Sequence, residues 1–159
     1  MSYQVKLLTD YEQELLDQLV TLEREAFGVG ALNKWHLVPF INHGRVFVLY
    51  DQEEPIGLLE LLRDFNSPES AYIFGFSIKS EYKGQGLGTK LLDHTLNWLA
   101  QQDFKRVELT VAPDNKSAYH LYQDKFGFTE EEYRSAEYGR DEPRLIMSLE
   151  LSTDGWSEK

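Results

Sequence analysis

The stretch Lys83-Gly84-Gln85-Gly86-Leu87-Gly88-Thr89 decides how this chain of 159 residues is read. Just before it, Ala71 to Ile78 is apolar and rich in aromatic and β-branched residues, the composition of a strand buried on both faces. Just after it, Leu87, Leu91, Leu92, Thr95, Leu96 and Leu99 recur at helical spacing. The order is strand, glycine turn, helix. Glycines at alternate positions let the backbone approach a ligand closely and adopt φ values that other residues resist. The N–H groups at the start of the helix lie at the positive end of its dipole, so the turn is a candidate anion site. Spacing argues against two nucleotide loops. A P-loop needs Gly-Lys followed by Ser or Thr, but here Gly88-Thr89-Lys90 reverses that order. The dinucleotide fingerprint needs G-x-G-x-x-G, and these glycines fall as G-x-G-x-G.

Upstream of the turn, Gln4 to Leu8 reads as a strand. Thr9 to Glu12 has capping-box spacing, and Leu15, Leu16, Leu19, Leu22, Ala26 and Phe27 form the apolar stripe of a first helix. A loop from Gly28 to Asn33 leads to a shorter helix over Lys34 to Asn42. The strands Arg45 to Tyr50 and Ile56 to Phe65 form a hairpin. Downstream, Arg106 to Val111 is a strand, Ser117 to Phe126 a short helix ended by Gly127, and Phe128 to Ser135 and Leu145 to Leu151 two closing strands. The expectation is an α/β domain over residues 1–151 with a mixed sheet, followed by a polar tail over 152–159.

Composition removes whole classes of function. Without cysteine there are no disulfides, thiolate nucleophiles or zinc-cysteine sites. The start of the chain lacks signal-peptide character, and no run reaches the roughly 18 apolar residues of a membrane span. A cytoplasmic protein is expected. A net charge of −11 argues against nucleic acid and anionic membranes as partners, and favours a cationic small molecule or peptide unless the acidity serves only solubility. Lys79, Lys83 and Lys90 nevertheless bracket the glycine turn, with Lys116 further on. His36, His43, His94 and His120 have no metal-ligand spacing, so no metal is implied.

Two runs carry a resemblance to a known family. Phe76-Ser77-Ile78-Lys79-Ser80-Glu81-Tyr82-Lys83-Gly84-Gln85-Gly86-Leu87-Gly88 resembles the R/Q-x-x-G-x-G/A signature of the GNAT family of N-acetyltransferases, and the run from Asn115 to Tyr122 followed by Gly127-Phe128 is similar to its N-x-x-A-x-x-L-Y and G-F signature. There is some likeness to the ribosomal-protein Nα-acetyltransferase branch. Two positions depart from the pattern: Lys83 stands where Arg or Gln is usual, and Ser80 where Pro is frequent. The resemblance implies a single-domain GNAT-like α/β fold, a mixed and mostly antiparallel sheet of about seven strands flanked by four helices. It also implies acetyl-CoA as cosubstrate. Lys83, Gly84, Gln85, Gly86, Leu87, Gly88 and Thr89 would hold the pyrophosphate, Phe76 and Ile78 would offer backbone groups to the pantetheine arm, and Asn115 would contact the cofactor further along. Asn115 is equally a good helix cap.

Acetyl transfer from a thioester to an amine needs an unprotonated amine, a stabilised oxyanion and a proton for the departing thiolate. An alkyl amine has a pKa of about 10.4, so a base or a water relay must take its proton. The resemblance implies the Ile78 N–H as oxyanion donor and Tyr122 as general acid, although periodicity alone reads Tyr122 as a core residue. For the base, Glu60, Glu69 and Glu108 are the candidates. Glu108 ranks first because it shares a strand face with Thr110, where the ribosomal-protein branch carries a glutamate. The acceptor is expected between the loops Gly28 to His36 and Tyr133 to Pro143, which bring Glu25, Trp35, Tyr133, Glu137, Tyr138 and Asp141, residue types suited to a cationic amine. A small-molecule amine, polyamine or aminoglycoside-like, and a peptide N-terminus are both open, as is a homodimer. The alternative is a non-catalytic acyl-CoA-binding sensor with the same fold.

Overall fold

The computed structural model describes residues 2–152. The elements run β1 (Tyr3–Leu7), α1 (Gln13–Phe27), α2 (Lys34–His43), β2 (Arg45–Asp51), β3 (Glu54–Arg63), β4 (Ser70–Ile78), α3 (Leu87–Gln101), β5 (Arg106–Val111), α4 (Lys116–His120), β6 (Thr129–Arg134) and β7 (Arg144–Glu150). Short 3-10 turns occupy Gly28–Gly30 and Ser80–Tyr82, and a π-helical turn occupies Leu121–Lys125. The expected tail lies, beyond Ser152, outside the described residues.

The seven strands hydrogen-bond in the order β1-β2-β3-β4-β5-β7-β6. β1 with β2, β2 with β3, β5 with β7 and β6 with β7 are antiparallel, whereas β4 and β5 run parallel. The chain gathers into two compact units, the first comprising residues up to Leu62 with Phe74–Thr95, the second Arg63–Ile73 with the chain from Leu96 on. The change of unit within β4 coincides with the end of its ladder: the register with β5 runs from Ser70↔Arg106 to Ile73↔Leu109. The sequence predicts a strand buried on both faces throughout. Only Ser70, Ala71 and Ile73 are buried, while Phe74 is 46% exposed and Gly75 to Ile78 are half-buried.

In the first unit, α1 and α2 cover one face of β2 and β3. Leu16, Leu19 and Leu22 of α1 join Leu37 and Ile41 of α2, Val46 and Val48 of β2, and Leu58 of β3 in a single apolar cluster. The expected stripe on α1 ends early: Ala26 and Phe27 are exposed, and Glu23, four residues after Leu19, is buried in their stead. The capping box expected at Thr9 and Glu12 does not form either. Glu12 is the N-cap and makes no side-chain cap bond. The box heads α2 instead, where Asn33 Oδ1 accepts the Trp35 N–H at 2.9 Å and the Asn33 N–H donates to His36 Nδ1 at 3.2 Å. Histidine there does the work usually given to Glu or Gln.

In the second unit, β5 alternates half-buried and buried residues, so Val107, Leu109 and Val111 face the core while Glu108 and Thr110 share the other face. β7 supplies buried Ile146 and Met147, and Phe126 and Phe128 close the core beneath the π turn.

Candidate active site

Within the first unit, β4 delivers the chain to the glycine turn. The Lys79 N–H donates to the Ile56 carbonyl at 2.7 Å, fixing the end of the strand against β3. Gly84 and Gly86 have φ of +80° and +77°, and a Cβ at either would meet no atom within 4 Å. The glycines are therefore required by backbone conformation and leave open space above the turn. Gly88 is already inside α3. The first-turn N–H groups of that 15-residue helix, from Leu87 to Thr89, have no partner within the helix and lie at its positive end. The turn is tied to the edge of the sheet by two tyrosines: the Tyr82 hydroxyl donates to Asp51 Oδ2 at 2.8 Å, and the Tyr3 hydroxyl to Gln85 Oε1 at 3.3 Å.

The lysines that bracket the turn divide. Lys79 is committed elsewhere, 2.8 Å from Glu54 and 3.8 Å from Glu81. Lys83 and Lys90 are exposed beside the glycines. A cleft of about 510 Å³ opens between α1 and the start of β3, lined by Glu14, Asp17, Glu25, Glu54 and Lys79 among others. None of the residues predicted to hold acetyl-CoA lines it.

The same unit holds a polar feature that the sequence half revealed. Glu60 of β3 and Glu23 of α1 are 0% and 2% exposed. The Leu32 N–H donates to Glu23 Oε2 at 3.2 Å. Neither oxygen of Glu60 meets an N–H or O–H donor among the described residues; its polar neighbour is the Glu23 carboxyl. Two carboxyls side by side hydrogen-bond only when one of them keeps a proton. Burial first, and Glu23 second, push the Glu60 carboxyl well above the ordinary carboxylate range. The third buried polar side-chain atom without a partner among the described residues is Ser77 Oγ.

Within the second unit, Asn115 caps α4, its Oδ1 accepting the Ala118 N–H at 3.2 Å. The capping role is thus realised in an exposed residue. After one turn the helix widens into the π turn, a form common at functional sites, and Tyr122 lies on its inner side, 7% exposed. The Phe128 ring stands 5.7 Å from that of Tyr122, and the Phe128 N–H donates to the Tyr122 carbonyl at 3.0 Å. Burial raises the Tyr122 phenol above its ordinary value, so the hydroxyl keeps its proton at every physiological pH.

Tyr72 donates to Thr110 Oγ1 at 3.4 Å, and burial pushes its phenol up to about 12. Glu108, ranked first as base from the sequence, is half-buried on the face it shares with Thr110, opposite Tyr72 and Ser148 in register. Glu69 is exposed before β4. Of the second-unit acids and aromatics expected to meet the acceptor, Glu137 and Tyr138 are engaged, whereas Tyr133 and Asp141 are exposed. Glu137 pairs with Arg134 at 2.6 Å, and the Arg144 guanidinium lies 5.0 Å from the Tyr138 ring centroid. In the first unit Trp35 is 77% exposed, and Lys34 Nζ stands 5.7 Å from its ring centroid. Glu23 is absent from the sequence reading, which runs the apolar stripe of α1 from Leu22 to Ala26. Its spacing of four from Leu19 and seven from Leu16 was the available signal.

Comparison with known proteins bears on this arrangement directly. Residues 8–128 match the acetyltransferase (GNAT) family. N-alpha-acetyltransferase 50 of Danio rerio is 39% identical over 83 residues, 51% of this chain and 48% of its own length. The [ribosomal protein bS18]-alanine N-acetyltransferase of Escherichia coli strain K12 is 32% identical over 88 residues, 53% of this chain and 58% of its own. The L-2,4-diaminobutyric acid acetyltransferase of Methylotuvimicrobium alcaliphilum is 28% identical over 71 residues, 45% and 41%. The chain thus spans about half the length of the curated relatives it matches. Among solved structures, the ribosomal-protein-S18-alanine N-acetyltransferase from Escherichia coli aligns over 95% of both chains with a TM-score of 0.80 and 22% identity. A chain of the NatC complex bound to Gag peptide and CoA aligns over 96% of this chain and all of its own, with a TM-score of 0.81 and 19% identity. These structural likenesses establish the α/β fold with its mostly antiparallel seven-stranded sheet.

Proposed function

The chain belongs to the GNAT family of acetyltransferases, and from that premise we propose that it transfers the acetyl group of acetyl-CoA directly to a primary amine. The observation that carries the reading is the glycine turn: two residues at positive φ, open space above them, and directly behind them the first-turn N–H groups of a long helix, which have no partner within it. Such a turn offers several N–H donors and a dipole to a diphosphate at once. Lys83 and Gly84 to Thr89 bind the pyrophosphate. The backbone of Phe76 and Ile78, on the half of β4 beyond its ladder with β5, takes the pantetheine arm, and the Ile78 N–H stabilises the carbonyl oxygen as it becomes an oxyanion. Asn115 serves both as helix cap and as a contact to the cosubstrate.

Tyr122 gives its proton to the departing sulfur. Its burial keeps the phenol protonated, which is the state a general acid must start from. A sensor without turnover needs no such group, so Tyr122 favours the enzyme over that alternative. The acceptor is the amine of a small molecule or of a peptide N-terminus; relatives named for each, a diaminobutyric acid acetyltransferase and a ribosomal-protein alanine N-acetyltransferase, match similar shares of this chain.

The test is a thermal shift with acetyl-CoA, followed by free-thiol release over a panel of polyamines, aminoglycosides, amino acids and N-terminal peptides. Stabilisation by acetyl-CoA with thiol release from one acceptor class is the expected result. No stabilisation would remove the cosubstrate assignment; stabilisation with no release across the panel would favour the sensor.

A further inference from the structure

The fold keeps two carboxyls together inside an apolar core. Glu60 follows Leu58 on the face of β3 that packs beneath α1 and α2, and its register partner on β2 is the fully buried Val46. An apolar side chain would continue that core. Leaving a buried polar group unsatisfied costs about 1–3 kcal/mol, and a second acid beside it adds repulsion. Neither Glu23 nor Glu60 forms an ion pair with a Lys, Arg or His among the described residues.

The neighbouring strand is shaped around the pair. Gly75 lies in the middle of β4, a position where glycine is unfavourable. A Cβ built on Gly75 would stand 2.2 Å from Glu60 Oε2. The glycine exists so that the carboxyl can lie against the strand's backbone. Two residues further along, on the same face, comes Ser77 with its buried, unpartnered hydroxyl, and next to it Ile78. The Glu60 carboxyl against Gly75 and the Ser77 hydroxyl therefore lie along one face of β4, which leads to the residue assigned the oxyanion role.

We propose that the Glu23–Glu60 pair is the proton acceptor of the acetyl transfer, reached from the acceptor amine along the Ser77 face of β4. The proposal rests on the acetyl-transfer reading above. Facing Glu60 are Glu23 from α1 and Gly75 from β4, and facing Glu23 is the Leu32 N–H from the loop before α2. In the step, an ammonium acceptor gives one proton to the singly ionised pair, which becomes neutral. The freed nitrogen attacks the thioester carbon, the C–N bond forms and the C–S bond breaks. The second nitrogen proton leaves as that of the free thiol, by way of Tyr122. Burial and the neighbouring Glu23 raise the Glu60 carboxyl above the ordinary carboxylate range, the direction that makes it a better proton acceptor.

The experiment compares wild type, Glu60→Gln and Glu23→Gln in steady-state kinetics from pH 5.5 to 9, with melting temperature and acetyl-CoA affinity measured on each protein. The expected result for Glu60→Gln is a fall in kcat of about 100-fold or more and loss of the ascending limb of the pH profile, with acetyl-CoA affinity within about twofold. Glu23→Gln removes the like charge beside Glu60 and is expected to move that limb to lower pH, with kcat lowered less than in Glu60→Gln. Serine 77 tests the route, and Ser77→Ala is expected to lower kcat with the limb in place. Turnover by Glu60→Gln within about threefold of wild type, or variants that shift the melting temperature but leave the pH profile unmoved, would overturn the proposal. Wild-type protein that binds acetyl-CoA but acetylates no amine would overturn the parent reading and this one together, an outcome distinct from an unaffected Glu60→Gln.

Discussion

Replacing Gly75 by alanine tests the packing of the buried acids independently of any activity. The new methyl would lie 2.2 Å from Glu60 Oε2 and 3.2 Å from its Cδ. An ordinary carbon–oxygen contact is about 3.3–3.6 Å, so the carboxyl must retreat by roughly 1 Å. An exposed glutamate would swing away at no cost, but Glu60 is fully buried and has nowhere open to go. Forcing extra volume into a packed core costs about 1–3 kcal/mol. Gly→Ala in a compatible conformation returns about 0.4–1 kcal/mol through the unfolded chain. The net destabilisation is therefore roughly 1–2 kcal/mol, or a fall in Tm of about 2–8 °C for a chain of this size. The assay is a double-mutant cycle of Gly75→Ala and Glu60→Ala by urea unfolding. Once the carboxyl is gone the methyl fills space instead of colliding, so the two changes should couple by about 1–3 kcal/mol. If Gly75→Ala is as stable as wild type, or costs the same with and without Glu60, the carboxyl does not lie against β4.

Further outcomes follow from the same geometry. Tyr122→Phe should lower kcat by about 100-fold while acetyl-CoA affinity by calorimetry stays within about twofold; unaltered turnover would remove Tyr122 from the mechanism. Gly86→Ala meets no atom, so its cost is the φ of +77°, about 1–2 kcal/mol, and acetyl-CoA should bind roughly tenfold more weakly; equal affinity would exclude the turn as the pyrophosphate site. Stability should depend on pH through Glu60. Its folded pKa is raised above the ordinary 4.5, so the stabilising contribution is complete below 4.5 and is lost as pH rises through the folded value. Glu60→Gln, which cannot titrate, should gain on wild type as pH is raised through that window in urea unfolding, and a constant difference would show that Glu60 ionises normally.

What the sequence disclosed was local. The glycine turn, the strand before it and the helix after it are consecutive, and so are Asn115, Tyr122 and Gly127, so each motif could be read with its own structural setting. Glu60 stood out as an acid inside an apolar strand. Its partner did not, because Glu23 lies 37 residues earlier in a helix whose last turn carries acids and arginine together, and the meeting of α1 with β3 is a tertiary fact. The same holds for Thr9 and Glu12, which have the spacing of a cap that the helix, beginning at Gln13, does not use, while Asn33 and His36 form one with a less usual residue pair. The burial of β4 was overestimated because composition reports how apolar a strand is, whereas the four-pair ladder with β5 decides how much of it is covered.

The π turn from Leu121 to Lys125 makes this the one place in the segment where chain length can give. A π turn holds one residue more than the α-helical turn it replaces, so a single deletion here would be absorbed as ordinary helix. Removing the exposed Gln123 would close the turn to α-helical bonding and keep Phe126 and Phe128 in the core. A single insertion has no such outlet: in regular helix it would turn everything after it by about 100° and shift it about 1.5 Å along the axis, taking the Phe128 N–H from the Tyr122 carbonyl. One deletion between Tyr122 and Gly127 is therefore expected to be tolerated far better than one insertion.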